Sequence, residues 1–465
     1  MAHQDEPVAS GAGRGLAAPD GPLSGAPPGA DVLSPVQERQ RIRSIDVLRG
    51  VAVLGILPMN IPFFALSNFG FVNPSITGGF EGRNFWTWYL GHLVFELKMM
   101  AIFSMLFGAG LVLISDRAAA KGRSPAGIYY RRVMWLLLIG LIHAYGFWWG
   151  DILVIYALCG FLLYPLRRIP ARWLVLIGIV VNLTAVPVQF GQGAWFEFMR
   201  DQAALADGAV ARGEEPTEFQ QGMKEGWEDI AKDFVGTPEA LEEERKRYVE
   251  GGWDLFVSRA KENVFFQTFG FFFFGLWRPG GMMILGMGLM KLGIFSAARS
   301  NRFYGIGAVL GYVIGLPIVW LGAERNPAHA FDMIYMFKEG FHYNYIGSMF
   351  AAFAHVCVVM LICKNGALPR TSGLLADVGR MPLTNYLMQT LICTTVFYGY
   401  GLALWGRFDR FELLAFVLGI WVLLVLLSRW WMARFRFGPA EWLWRSLSYW
   451  SLQPMRHAAP APMAG

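Results

Sequence analysis

The chain has 465 residues, 55% of them apolar and only 16% charged, with a mean hydropathy of +0.39. Soluble domains carry about a quarter charged residues, so the composition excludes an ordinary soluble domain. Long uninterrupted apolar runs make the chain an all-α integral membrane protein. The net charge of +6 is no nucleic-acid signal, because the basic residues cluster in short loops between apolar runs, as they do in cytoplasmic loops.

Residues 1–38 are rich in Pro, Gly and Ala and carry no apolar core. Their start lacks the basic and apolar regions of a signal peptide, so they are expected to form a disordered cytoplasmic tail. Arg39, Arg41 and Arg43 then lead into a first membrane helix, about 47–66, which places the N-terminus inside. A second helix is expected over 86–114 and ends in a basic loop (Arg117, Lys121, Arg131, Arg132). The third, 133–149, goes out, the fourth, 152–166, returns, and the fifth, 173–190, goes out again, which makes 39–190 a five-helix half. Residues 191–262 are polar and acidic, with amphipathic helical periodicity. The span count puts them on the extracytoplasmic face.

The second membrane half is 263–450. It opens with one broken span, 263–295, interrupted by Arg278-Pro-Gly-Gly. Such an interruption at membrane depth is tolerated only where protein or a water cavity covers the freed backbone. Spans follow at 303–322, 345–363, 383–404 and 411–432, and a disordered tail at 451–465. The expected fold is a polytopic bundle of about ten transmembrane helices with one extracytoplasmic helical insertion and both termini cytoplasmic. Four cysteines (Cys159, Cys357, Cys363, Cys393) lie in or beside apolar runs without metal-ligand spacing, so neither a disulfide nor a metal is expected.

His143 and Asp151 are the ionisable side chains between the arginine pairs Arg131-Arg132 and Arg167-Arg168. An ionisable residue inside a membrane segment is a functional hypothesis by default. Eight residues apart across a helical hairpin, the two can meet, and a carboxylate beside an imidazole orients a general base. The structural alternative is a histidine bonded to backbone and an aspartate capping the fourth helix. Asp46 and Arg49, spaced i, i+3, share a face at the inner mouth of the first helix, either as an anchoring ion pair or as an anion or cofactor site. His92, with Glu96 at i+4 and Lys98 beyond, is either a structural polar cluster or an alternative catalytic histidine. Asn385 and Gln389, spaced i, i+4, face into the bundle. Arg380 at the inner mouth would join Arg49 and the 117–132 arginines in a basic vestibule for a phosphorylated cofactor. No phosphate loop, dinucleotide fingerprint, HExxH or nucleophile elbow is present.

Several stretches together resemble one family: Arg43-Ser-Ile-Asp-Val-Leu-Arg-Gly50, Leu106-Phe-Gly-Ala-Gly110, Gly140-Leu-Ile-His143 with Gly150-Asp-Ile-Leu153, Met283-Ile-Leu-Gly-Met287, Gly379-Arg-Met-Pro-Leu-Thr-Asn-Tyr386 and Phe437-Gly-Pro-Ala-Glu-Trp-Leu-Trp-Arg445. They resemble the YeiB-like bacterial membrane proteins, whose C-terminal half is catalogued as domain of unknown function number 418. The resemblance covers about 40 to 450 and implies a ten-helix protein of the bacterial inner membrane. The first-helix motif is also similar to that of transmembrane acyltransferases, which take acyl-coenzyme A (acetyl-CoA) as co-substrate and use a membrane-embedded histidine. That likeness implies His143, oriented by Asp151, or alternatively His92, as the catalytic group. It implies Asp46, Arg49, Arg380, Asn385 and Gln389 at the coenzyme, and a small-molecule or glycan acceptor as partner. His143 departs from that pattern by lying in the third helix. Two other readings stay open: a small-molecule permease hinged at 278–281, and a non-catalytic scaffold. The partners expected are the lipid bilayer and the acceptor; a homodimer is an open assembly, and no nucleic acid is expected.

Overall fold

The computed structural model describes residues 41–457 except 123 and 235. The expected tail 1–38, and the part of the expected tail 451–465 from 458 onward, lie outside the described residues. Among the described residues every named element is helical, which is how backbone polar groups are satisfied where no water is at hand. The first half comprises α1 (Arg43–Ala65), α2 (Gly82–Val94), α3 (Lys98–Ala120), α4 (Ala126–Gly146), α5 (Leu153–Leu163) and α6 (Ala171–Ala211). The polar segment folds as α7 (Glu218–Phe234), α8 (Pro238–Glu250) and α9 (Gly252–Gln267). A π-helical stretch, Phe271–Gly280, leads into α10 (Gly281–Lys291), followed by α11 (Asn301–Ala328), a single turn α12 (Met333–Tyr335) and α13 (Phe341–Lys364). The chain closes with α14 (Pro369–Arg380), α15 (Pro382–Phe397), α16 (Leu413–Met432) and α17 (Pro439–Tyr449).

Among the described residues, six helical stretches are long and apolar enough to cross a membrane: 43–65, 82–120, 171–211, 301–328, 333–364 and 413–432. Of the other four expected spans, α4 has 21 residues but carries Arg131 and Arg132, 263–295 is interrupted, and α5 and α15 are short; for the short pair burial gives the reason. The 11-residue α5 buries eight of its residues, among them Tyr156 and Cys159, so neighbours cover its ends and it need not span alone. α15 is 16 residues long and buries nine. By contrast α6, α11 and α16 expose rows of large apolar side chains (Val180, Val313 and Leu426 among them), the surface a bilayer would cover. The expected second span, 86–114, is two helices. The break falls at Phe95–Leu97, where Leu97 takes a left-handed φ of 60°, a conformation that costs a leucine about 1–3 kcal/mol. The expected fifth span does not stop at 190; α6 runs 41 residues, through the start of the polar segment.

Two glycines set the seam between α1 and α14. A Cβ at Gly50 would stand 2.0 Å from the Leu375 carbonyl, and one at Gly379 would stand 1.8 Å from the Asp46 carbonyl. Only hydrogen allows α1 and α14 to touch backbone to backbone there. That contact brings the end of α14, and with it Arg380, against the start of α1.

An arginine-rimmed cavity beside a buried histidine

Asp46 lies in the first turn of α1, 5% exposed. It accepts from Arg49 Nη1 at 3.1 Å and from Arg41 Nε at 3.1 Å. The pair read from the i, i+3 spacing therefore forms, with Arg41 as a third member. Its carboxylate aligns two guanidiniums, and both line a cavity of about 180 Å³.

α1, α4 and the consecutive pair α14–α15 supply that wall in the same order. α1 contributes Arg49, then Val53 and Ile56; α4 contributes Arg132, then Val133 and Leu136; α14 and α15 contribute Arg380, then Leu383 and Tyr386. Because successive turns climb one way, the cavity has a basic end and an apolar shaft. Ile152, Leu153, Tyr156 and Tyr386 line its far end.

The amphipathic α17 closes the basic end with Trp444 and Arg445. It is held there through Glu441, whose carboxylate accepts from Leu383 N at 2.6 Å, Thr384 N at 3.1 Å and Thr384 Oγ1 at 2.6 Å. Glu441 thus caps α15 from another helix. Burial raises its pKa, against the pull of those hydrogen bonds. Burial also pushes the Arg445 guanidinium down to about 9, and the nearby charges of Arg132 and Arg41 push the same way. The Arg132 guanidinium lies 4.1 Å over the Trp444 ring, while Trp444 Nε1 donates to the Arg132 carbonyl at 2.8 Å. A concentration of cations of this kind attracts a polyanion.

His143 sits near the C-terminus of α4, 3% exposed. Its Nδ1 is 2.7 Å from Asp151 Oδ2, and its Nε2 is 2.9 Å from Thr390 Oγ1. The other Asp151 oxygen accepts from Val154 N at 2.9 Å. One Asp151 oxygen thus caps α5 while the other contacts the imidazole. His143 does not itself line the cavity. Tyr386 stands between them, its ring centroid 5.2 Å from that of His143 and its hydroxyl accepting from Ile152 N at 3.4 Å. On the opposite flank α9 grips the end of α4: Asn263 Nδ2 donates to the Ala144 carbonyl at 2.8 Å and Arg259 Nη1 to the Phe147 carbonyl at 2.5 Å.

The remaining predicted residues fall elsewhere. Asn385 donates to the Val378 carbonyl and the Ser428 hydroxyl, and Gln389 to the Val53 carbonyl at 2.9 Å. They tie helices together and do not line the cavity. Their shared face is polar because the bundle needs those bonds. His92 forms a separate cluster, with Nδ1 2.7 Å from Glu96 Oε2 and its ring stacked on Trp88. Sequence reasoning missed Tyr386, Thr390, Trp444 and Arg445 as site residues. Tyr386, Trp444 and Arg445 lie inside stretches that carry the family resemblance, and Thr390 is a polar residue one turn beyond Tyr386.

A family model described as "Protein of unknown function (DUF418)" matches residues 289–451. The chain is 32% identical over 430 residues to "Uncharacterized protein YeiB" of Escherichia coli (strain K12), covering 91% of this chain and 98% of that one. It is 29% identical over 439 residues to "Uncharacterized protein YxaH" of Bacillus subtilis (strain 168), again covering 91% and 98%. No solved structure matches. With near-complete coverage of both relatives and the model match across its C-terminal half, the chain belongs to the YeiB-like DUF418 family.

Proposed function

We propose that this protein is a membrane-embedded acyltransferase, taking an acyl group from cytoplasmic acyl-CoA, acetyl-CoA in the simplest case. The acceptor is an extracytoplasmic hydroxyl or amine, from a small molecule or a glycan. In this reading it crosses the bacterial inner membrane ten times, with 191–262 outside and both termini inside. The observation that carries the proposal is the cavity: five arginines at one end, an apolar shaft, and a far wall, Tyr386, packed on the His143–Asp151 pair. Arg41, Arg49, Arg132, Arg380 and Arg445 suit the phosphates of the coenzyme, and the shaft suits its pantetheine arm and acyl group. Asp151 holds Nδ1, which leaves Nε2 as the atom that takes a proton. The acceptor loses its proton to Nε2 and its lone pair attacks the thioester carbonyl. The C–S bond then breaks, and the thiolate leaves to collect a proton. Tyr386 and Thr390 occupy the approach to Nε2, so both turn aside in the productive complex.

The test is transfer of radiolabel from acetyl-CoA to lipid, glycan or protein by the purified chain, together with coenzyme A binding. The proposal predicts that Arg445→Ala and Arg132→Ala each weaken coenzyme binding, by roughly 5- to 50-fold for the loss of a charge-assisted contact of about 1–2.5 kcal/mol. Failure of the parent protein both to bind coenzyme A and to transfer label sinks it.

A further inference from the structure

The end of α16 marks where a bilayer surface would lie. Leu418, Val422, Leu426 and Trp430 follow one another at steps of four residues, and all are exposed. This row lies on one face of a helix long and apolar enough to cross a membrane, and it closes on a tryptophan. The next step of four is Arg434, whose guanidinium carbon stands 4.8 Å from the Trp430 ring centroid. An apolar row that gives way to tryptophan and then to arginine is the pattern of a helix leaving hydrocarbon for headgroups.

The segment after α17 is fastened at that level. Phe435 and Arg456 form an isolated antiparallel bridge, and Arg436 N donates to the Met455 carbonyl at 2.9 Å. Trp442 Nε1 donates to the Gln453 carbonyl at 2.8 Å, and Gln453 N to Ser446 Oγ at 3.2 Å. Within these ties the chain turns sharply, with Trp450 at a left-handed φ of 53°, a conformation that a bulky side chain rarely adopts. The turn leaves Trp450 76% and Leu452 81% exposed, the most of any large apolar side chain among the described residues. Leu443, exposed, and Leu447, partly buried, extend the Trp450 face back along α17. Cations surround this tip: the Arg131 guanidinium carbon is 5.4 Å from the Trp450 ring centroid, and Arg434, Arg436 and Arg456 belong to the bridge or adjoin it. Among the described residues none of these four arginines has a carboxylate within ion-pair distance.

A fixed apolar tip at headgroup depth, ringed by arginines without carboxylate partners, fits an anionic lipid surface. We propose that Trp450 and Leu452 insert into the leaflet at which α16 ends, and that Arg131 and Arg434 bind the phosphates of its anionic phospholipids. The same contact seats α17, whose Trp444 and Arg445 close the basic end of the cavity. Arg131 couples the two, because it adjoins Arg132, whose guanidinium lies over the Trp444 ring. Arg131, Trp450 and Leu452 do not themselves line the cavity. The inference needs α16 to cross the bilayer and does not rest on the acyl-transfer reading.

The experiment places the full chain in nanodiscs of phosphatidylcholine alone, and in nanodiscs of phosphatidylcholine and phosphatidylglycerol in equal parts. Amide protection factors over 439–452 should rise several-fold with phosphatidylglycerol and fall back at high salt, while those over α16 stay the same. Arg131→Gln combined with Arg434→Gln should remove most of that rise. A nitroxide on Leu452→Cys, in a background with the four native cysteines replaced, should collide with oxygen dissolved in the lipid and be shielded from a water-soluble nickel chelate. If the double variant does not fold, the depth of the nitroxide and the lipid dependence of the parent protein decide. Equal protection in the two discs, a full rise in the double variant, or a nitroxide open to the nickel chelate would overturn the proposal. So would a nitroxide shielded from both reagents, since protein and not lipid would then cover the tip.

Discussion

His143 shows how much one side chain can be asked to do. Both ring nitrogens are engaged, Nδ1 by Asp151 and Nε2 by Thr390, so a substitution has separable effects. His143→Asn keeps a hydrogen-bonding group of smaller bulk and is expected to abolish acyl transfer while the protein still folds. Asp151→Asn keeps the oxygen that accepts from Val154 but removes the charge that holds the imidazole. It should lower kcat by roughly 10²-fold or more with little change in coenzyme binding, in line with the loss of general acid–base assistance. Single-turnover transfer and coenzyme titration on the same preparations distinguish the two quantities. At the basic end of the cavity, Asp46 is the buried anion between two guanidiniums. Asp46→Ala should destabilise the protein by about 3–5 kcal/mol, because Arg41 and Arg49 then face each other unpaired. Arg49→Ala should cost less stability, since its side chain is a quarter exposed and partly screened. A comparison of melting temperatures tests the order.

The elements that matter most are those that arrive from outside the bundle. α17 reaches the cavity because Glu441 caps α15, and α9 reaches the histidine hairpin through Arg259 and Asn263. The extracytoplasmic reading of α8 and α9 puts a titration there. Burial first, and the charge of Glu244 second, raise Glu262 to about 7. Burial likewise raises Glu244, although the Ser67 hydroxyl and Asn68 N–H pull the other way. A raised carboxyl favours the folded state while it is protonated. Its contribution is therefore complete below about pH 4.5 and is lost as pH climbs through about 7, a swing of up to about 3 kcal/mol for Glu262. Protection factors over 238–267, with the intrinsic pH dependence of amide exchange divided out, should accordingly be larger at pH 5 than at pH 7.5. Glu262→Gln should shrink that difference, and a parent protein whose protection factors are the same at the two pH values would refute this account of the clamp.

At the scale of the whole molecule, membrane character and helical class were legible from composition and run length. The expected second span was not legible as two helices, since Leu97 carries no local signal for its left-handed turn. The short interior elements α5 and α15 show the limit of hydropathy counting: length predicts a span only for a helix that faces lipid, not for one covered by its neighbours. The ten-span proposal makes a direct prediction about the polar segment. Gln220→Cys, in a background with the four native cysteines replaced, should react with an impermeant thiol reagent in intact spheroplasts. Protection there would place 191–262 inside. The pairing of Asp46 with Arg49 and the meeting of His143 with Asp151 were both readable, because each is set by spacing within one helix or across one tight hairpin. The cavity was not. Its arginines come from residues as distant as Arg41 and Arg445, its far wall is Tyr386, and Asn385 and Gln389, which share a promising face, are spent on helix ties. By itself the sequence determined what local periodicity and composition can carry: helices, apolar belts, and charge pairs three to eight residues apart. Only the tertiary structure decided which of those charges share a cavity, because that depends on backbone contacts such as Gly50 with Leu375 and Gly379 with Asp46, between helices more than 300 residues apart in the chain.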